Sequence, residues 1–181
     1  TLTSGLGFPA GSYRGAQIPS QTYLDITGSG FCVEFWAAIG SIGDSSSRIL
    51  FEKKTGDEAG WRVGYYDRTT PNNLEFKINA TNALWNTPNN LFAGSHHFAF
   101  TYDNSTMRIF VDGTSVATAT LTNATTSNTT PIGIGSPTFA QAGIVSGIIL
   151  TMDELRISTT PRYTANFTPG SVELTNDGST A

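Results

Sequence analysis

No window of about eleven residues in this chain keeps an apolar i, i+3, i+4, i+7 stripe free of Gly, Pro or β-branched runs, so an amphipathic helix has nowhere to form. Short strand-like runs take its place. They fall at residues 22–27, 31–39, 48–54, 61–66, 74–79, 96–103, 106–111, 115–121, 131–135 and 147–158, with turn residues between them. Short strands separated by turns at close spacing are the pattern of an all-β sandwich or barrel.

The clearest unit is the run 96–121, three strands joined by Asp103-Asn104-Ser105 and then Asp112-Gly113. Asp-Gly between two strand patterns predicts a type I′ hairpin, because both central residues of that turn need positive φ. Alternation puts Phe98, Phe100 and Tyr102 on one face and Met107, Ile109 and Val111 on one face of the next strand; these faces are expected to be core. The run 31–36 is apolar on both faces, with Phe31, Val33 and Phe35 on one and Cys32 and Trp36 on the other, as in a strand inside a layered structure. No repeat, linker or shift of composition divides the chain, so residues 1–181 read as one domain, with 123–130 as its most polar surface loop.

A chain of 181 residues buries roughly 70% of its unfolded surface and needs no staple. Charged residues are only 13% of it, against roughly 25% in an ordinary soluble domain. The ten basic residues are scattered singly and the net charge is -4, which leaves no stripe to neutralise a phosphate backbone and argues against a nucleic-acid partner. No apolar run reaches the roughly 18 residues of a membrane span. The start at Thr1, without Met or a signal-peptide pattern, reads as a processed chain or an excised piece. Cys32 is the single cysteine, which excludes an intrachain disulfide and a cysteine-rich zinc site. Five N-x-[ST] triplets occur, at Asn79, Asn104, Asn123, Asn128 and Asn166, but chance alone yields roughly three in a chain this rich in Ser and Thr.

In order, Phe31-Cys-Val-Glu-Phe-Trp36, Arg48-Ile-Leu-Phe51 with Gly60-Trp61, the run from His96 to Tyr102 and on to Gly113, and Met152-Asp-Glu-Leu-Arg-Ile157 resemble the laminin-G-like, concanavalin-A-like lectin domain family over about 150 residues. The ending Pro161-Arg-Tyr-Thr-Ala-Asn-Phe-Thr-Pro169 is similar to the versions found in bacteriophage virion proteins. Ser95 departs from the family pattern, which usually places Trp there. The resemblance implies a jelly-roll sandwich of two antiparallel sheets with its terminal strands side by side. It also implies a non-enzymatic recognition or structural module on a virion surface, as capsid decoration, tail fibre or spike. Its expected partners are a host glycan or other virion proteins, with any oligomer arising through virion assembly. A purely architectural virion protein, a glycosidase of the β-glucan type and a secreted, extracellular laminin-G module are the alternatives.

Hydrolysis of a glycan needs two carboxylates about 5 Å apart, and no E-x-D-x-x-E run supplies them. Glu52 is separated from Asp57 and Glu58 by a turn, and Asp153 and Glu154 are strand neighbours that point to opposite faces, so no catalytic residue is expected. His96 and His97 diverge in the same way and cannot share a metal; one is expected in the core and the other at the surface. Related sandwiches often hold a structural calcium on an Asp of the last strand, which makes Asp153 the candidate ligand; the alternative is an Asp that bonds a turn or pairs with Arg156 or Arg48. Glu34, on the face of Cys32 and Trp36, is expected to be a partly buried carboxylate paired with Arg156 or Arg108. For a glycan, Tyr65, Tyr66 and the loop 82–90 offer rings flanked by amides, with Trp85, Asn86 and Asn90 as contacts. The competing reading is that Trp85 plugs a sandwich end and the Asn residues make turns.

Overall fold

A computed structural model describes residues 6–8, 16–26, 30–41, 48–56, 59–65, 73–87, 94–135, 149–170 and 174–180. Twelve strands run through these residues: β1 Leu6–Phe8, β2 Ala16–Ile18, β3 Phe31–Ser41, β4 Arg48–Thr55, β5 Ala59–Tyr65, β6 Asn73–Ile78, β7 Thr81–Asn86, β8 Ser95–Tyr102, β9 Thr106–Val111, β10 Thr114–Thr120, β11 Ile132–Ile134 and β12 Ile149–Ser158. They form two six-stranded antiparallel sheets, in the orders β1-β12-β3-β8-β9-β10 (sheet A) and β2-β11-β4-β5-β6-β7 (sheet B). This is the expected jelly-roll sandwich of two antiparallel sheets.

Alternation builds the core as the sequence predicts. Phe31, Val33 and Phe35 of β3, Phe98, Phe100 and Tyr102 of β8 and Met107, Ile109 and Val111 of β9 face Phe51, Trp61, Val63, Leu74 and Phe76 of sheet B. Tilted or edge-on ring pairs join the layers: Phe31 to Trp61 at 4.8 Å between centroids, Phe35 to Phe51 at 5.1 Å and Phe76 to Phe100 at 5.9 Å. The β9–β10 hairpin closes as expected for a type I′ turn, with φ of 49° at Asp112 and 76° at Gly113.

Two sequence expectations are corrected. The sequence pattern predicts a strand over residues 22–27, but Thr22–Leu24 is a 3-10 turn, closed by bonds from the Leu24 N–H to the Gln21 carbonyl and from the Asp25 N–H to the Thr22 carbonyl, each 3.1 Å. Its exit is fixed from far away, where Ile26 and Thr126 exchange two bonds of 2.8 Å. The composition of residues 82–90 predicts a loop, yet 81–86 form β7, paired along its length with β6 after a tight turn at Asn79. The three-residue strands β1 and β2 carry too little pattern to be found in the sequence.

Phe35 touches rings from both sheets and is fully buried. Phe35→Ala is expected to cost about 3–5 kcal/mol, measurable as a lower urea midpoint.

Candidate functional site

The outer face of sheet A carries a buried carboxylate. Glu34, 0% exposed, lies across from Arg156 of β12, and beside it on β8 is His97. Arg156 donates to its Oε1 from Nε at 2.8 Å and Nη2 at 2.7 Å. The Tyr163 hydroxyl donates to Oε2 at 2.7 Å, and His97 Nε2 sits 3.3 Å from the same oxygen. Burial alone would push the Glu34 pKa up, but hydrogen bonds from His97, Tyr163 and Arg156, with the Arg156 charge, outweigh it and hold the carboxyl below its usual range. Of the two partners expected for Glu34, Arg156 is the one used; Arg108 pairs with Asp103 instead, at 2.5 Å.

Tyr163 belongs to a strap, residues 159–170, that crosses this face. Its ring stacks on Phe167 at 3.6 Å and 6°, and both rings pack edge-on against His97 and Phe110. The Thr101 hydroxyl donates to the Tyr163 carbonyl at 2.9 Å, and the Phe167 N–H donates to the Gly113 carbonyl at 2.9 Å. A Cβ on Gly113 would lie 1.9 Å from the Phe167 carbonyl oxygen, so that glycine serves both the turn and the strap. Arg162 continues the network to Asp177 with two bonds of 2.7 Å. The middle of this face is thereby closed to a ligand.

Sheet B buries charge on its own outer face. Glu52 is paired in register with Arg62, and Arg62 Nε donates to Glu75 at 2.7 Å; Asn82 Nδ2 adds a bond of 3.2 Å to the other oxygen of Glu75. All three charged groups are buried. Sequence reading missed this row because its members lie on three strands and meet only through cross-strand register.

One rim of the sandwich is built differently. The Thr22–Leu24 turn rests on the buried Leu24, whose carbonyl accepts from Trp61 Nε1 at 2.9 Å. Just after it Asp25 pairs with the buried Lys53 at 2.7 Å, and Lys53 Nζ also reaches the Asn128 carbonyl at 2.8 Å. This fixes the turn to the loop 121–130. On that mount Tyr23 is 52% exposed, the most exposed large apolar side chain among the described residues. Exposed Gln21, Thr22, Ser127 and Thr129 belong to the same two segments. Tyr23 was not singled out in the sequence, where strand alternation alone would have given it no more prominence than its neighbours.

A family model described as the concanavalin A-like lectin/glucanases superfamily matches residues 10–165. The chain belongs to that superfamily. No curated protein matches it by sequence. Among solved structures it is similar to a candidate carbohydrate-binding protein of Bacteroides ovatus, at 18% identity and TM-score 0.63, covering 85% of this chain and 44% of that one. Domains LG4-5 of mouse laminin α1 superpose at 14% identity and TM-score 0.62, covering 93% and 49%. Botulinum neurotoxin type C, whose cell entry is described as dependent on interaction with two ganglioside molecules, gives 15% identity and TM-score 0.54, covering 74% and 33%. The chain thus spans a third to a half of the length of these structures.

In this superfamily member the glycan candidates that fall among the described residues lie on β5 and β7. Tyr65 is 1% exposed and part of the core. Trp85 is half-buried, packed against the core from β7, while Asn86 is exposed at the end of that strand. Tyr66 and Asn90 lie outside the described residues. His97 is buried beneath the strap and His96 is half-buried, with Nδ1 2.7 Å from Asp112. Asp153 stands where a bulge interrupts the β3–β12 ladder, and its Oδ1 accepts the N–H of Glu154, a residue held at φ 56°. Calcium takes about six to eight oxygens, backbone carbonyls among them, and among the described residues no group of three His, Cys, Asp or Glu side chains that could hold a metal ion is present.

Because Glu34 is held below its unfolded value, the stability it contributes is complete above about pH 4.3 and is lost as pH falls toward its folded pKa. Glu34→Gln is therefore expected to lower stability at neutral pH by about 3 kcal/mol, leaving Arg156 without its buried counter-charge. It should also flatten the acid limb of the stability curve; urea titrations from neutral pH down to about pH 3 measure both effects.

Proposed function

We propose that this domain is a non-enzymatic recognition module that binds a glycan at the Tyr23 rim. The observation that carries the reading is an exposed aromatic ring on an ion-paired mount, with exposed Gln, Thr and Ser side chains in the same two segments. A pyranose presents an apolar face that such a ring can stack on, and Ser, Thr and Gln groups exchange hydrogen bonds with its hydroxyls. The ganglioside and carbohydrate descriptions attached to structures of similar fold support the ligand class. Against hydrolysis stands the state of the carboxylates on sheet B: Glu52 and Glu75 are buried, and Glu75 is committed to Arg62 and Asn82.

The setting we propose is a virion surface, on the strength of the ending 161–169, which is the strap itself. There the module would be fixed to the particle through other virion proteins and would offer its rim to a host glycan.

A glycan array probed with the wild type and with Tyr23→Ala tests the site. The wild type should bind at least one glycan class, and the variant should lose about tenfold or more in affinity with its thermal midpoint preserved, since the ring is at the surface. Absence of binding to every sugar, with or without added calcium, would overturn the glycan reading; undiminished binding by Tyr23→Ala would move the site away from this rim.

A further inference from the structure

Alternation along β4 directs Lys53 to the same face as Phe51, into the sandwich, where strand register sets it across from the core residue Trp61. An ammonium at 0% exposure on a core face is costly and has to be answered locally. Asp25, itself buried, lies 2.7 Å from Lys53 Nζ. Two further bonds of that nitrogen go to Asn128, 2.8 Å to its main-chain carbonyl and 3.2 Å to its side-chain Oδ1.

The Asn128 carboxamide is pinned at both ends. Its Oδ1 accepts from Lys53 Nζ, from the Thr130 N–H at 3.1 Å and from the Thr130 hydroxyl. An amide oxygen offers two lone pairs, so three donors exceed what the neutral group uses and suit the charge of an oxyanion. Its Nδ2 donates to the Lys53 carbonyl at 3.4 Å. An amine, a carboxylate that can carry its proton, an acyl carbon and two donors aimed at the acyl oxygen thus converge on one point. These are the parts of an acyl transfer, already brought together by the fold.

We propose that Lys53 and Asn128 join in an intramolecular isopeptide bond. A proton moves from Lys53 Nζ to Asp25 Oδ1 along their 2.7 Å bond, and the neutral amine attacks Asn128 Cγ. The side-chain oxygen becomes an oxyanion held by the two Thr130 donors. Asp25 then passes its proton to Nδ2 and takes the second one from Nζ; the Cγ–Nδ2 bond breaks, ammonia leaves, and the proton on Asp25 departs with it as ammonium. One C–N bond forms and one breaks, and nothing is oxidised or reduced. Asp25 is not the electrophile, because it serves as the proton carrier in its carboxylate form, which resists attack by an amine. The link closes a loop between positions 75 apart and ties β4 to the loop 121–130 behind the Tyr23 turn. The proposal stands on this geometry and does not rest on the glycan reading.

Intact-mass spectrometry of the folded chain, followed by proteolysis and fragment sequencing, tests it. The wild type should be lighter than its 19.3 kDa sequence mass by one ammonia, and a branched peptide should join the segments that hold Lys53 and Asn128. Asn128→Ala and Asp25→Asn should each restore the full sequence mass. A wild type at full sequence mass overturns the proposal, and that measurement decides even where a variant fails to fold. Loss of one water with a link to Asp25 overturns it as well, and a link undiminished in folded Asp25→Asn overturns the role given to Asp25.

Discussion

A carboxylate with no solvent contact persists only if its charge is answered from nearby, and Glu34 is answered from three separate parts of the chain. His97 comes from the adjacent strand, Arg156 from 122 residues away and Tyr163 from 129 residues away. None of these can take its place until both sheet A and the strap are in register. The arrangement therefore does more for specificity of placement than for net stability, since a well-packed apolar cluster of the same volume would hold the layers as well. What an apolar cluster would not do is dictate where the strap lies. With Glu34 fixed, the hydroxyl of Tyr163 has one position, and the Tyr163–Phe167 stack follows over His97 and Phe110.

That closure determines which surfaces remain for function. The centre of sheet A lies under the strap, and the Glu52–Arg62–Glu75 row of sheet B is buried and internally paired. A fold of this class hosts many ligands, so its site has to be argued from side chains and not from architecture. Among the described residues, the rim carries an exposed ring with hydrogen-bonding side chains in the same two segments, and on one flank β7 and β10 stand last in their sheets. Each owes its geometry to contacts distant in sequence, the rim to Asp25–Lys53–Asn128 and the first turn of the flank to Phe167 and Asn166 of the strap.

Sequence and structure agree where the signal is local and the period short. The meander of β8, β9 and β10 was legible because alternation over Phe98, Phe100 and Tyr102 and the Asp112-Gly113 turn specify strand and connection within a few residues. The double-sided apolarity of β3 was legible too, and it correctly indicated a layer on each side: the second layer is the strap, with Trp36 against His97 beneath it. Legibility failed where partners are distant. Thr22–Leu24 looks like a strand because its turn geometry is imposed by Thr126 and Trp61, neither of which leaves a mark in the local pattern. The Asn-rich stretch around Trp85 looks like a loop because its pairing with β6 supplies the order that its composition does not. The rim was invisible for the same reason, since a lone Tyr becomes a platform only when what surrounds it is known.

Confining the exposed ring to one rim has a consequence for affinity. One aromatic ring and a few hydroxyl contacts leave little surplus once the lost translational freedom of the ligand and the ordering of side chains are met. A single rim of this kind is therefore a weak binder on its own.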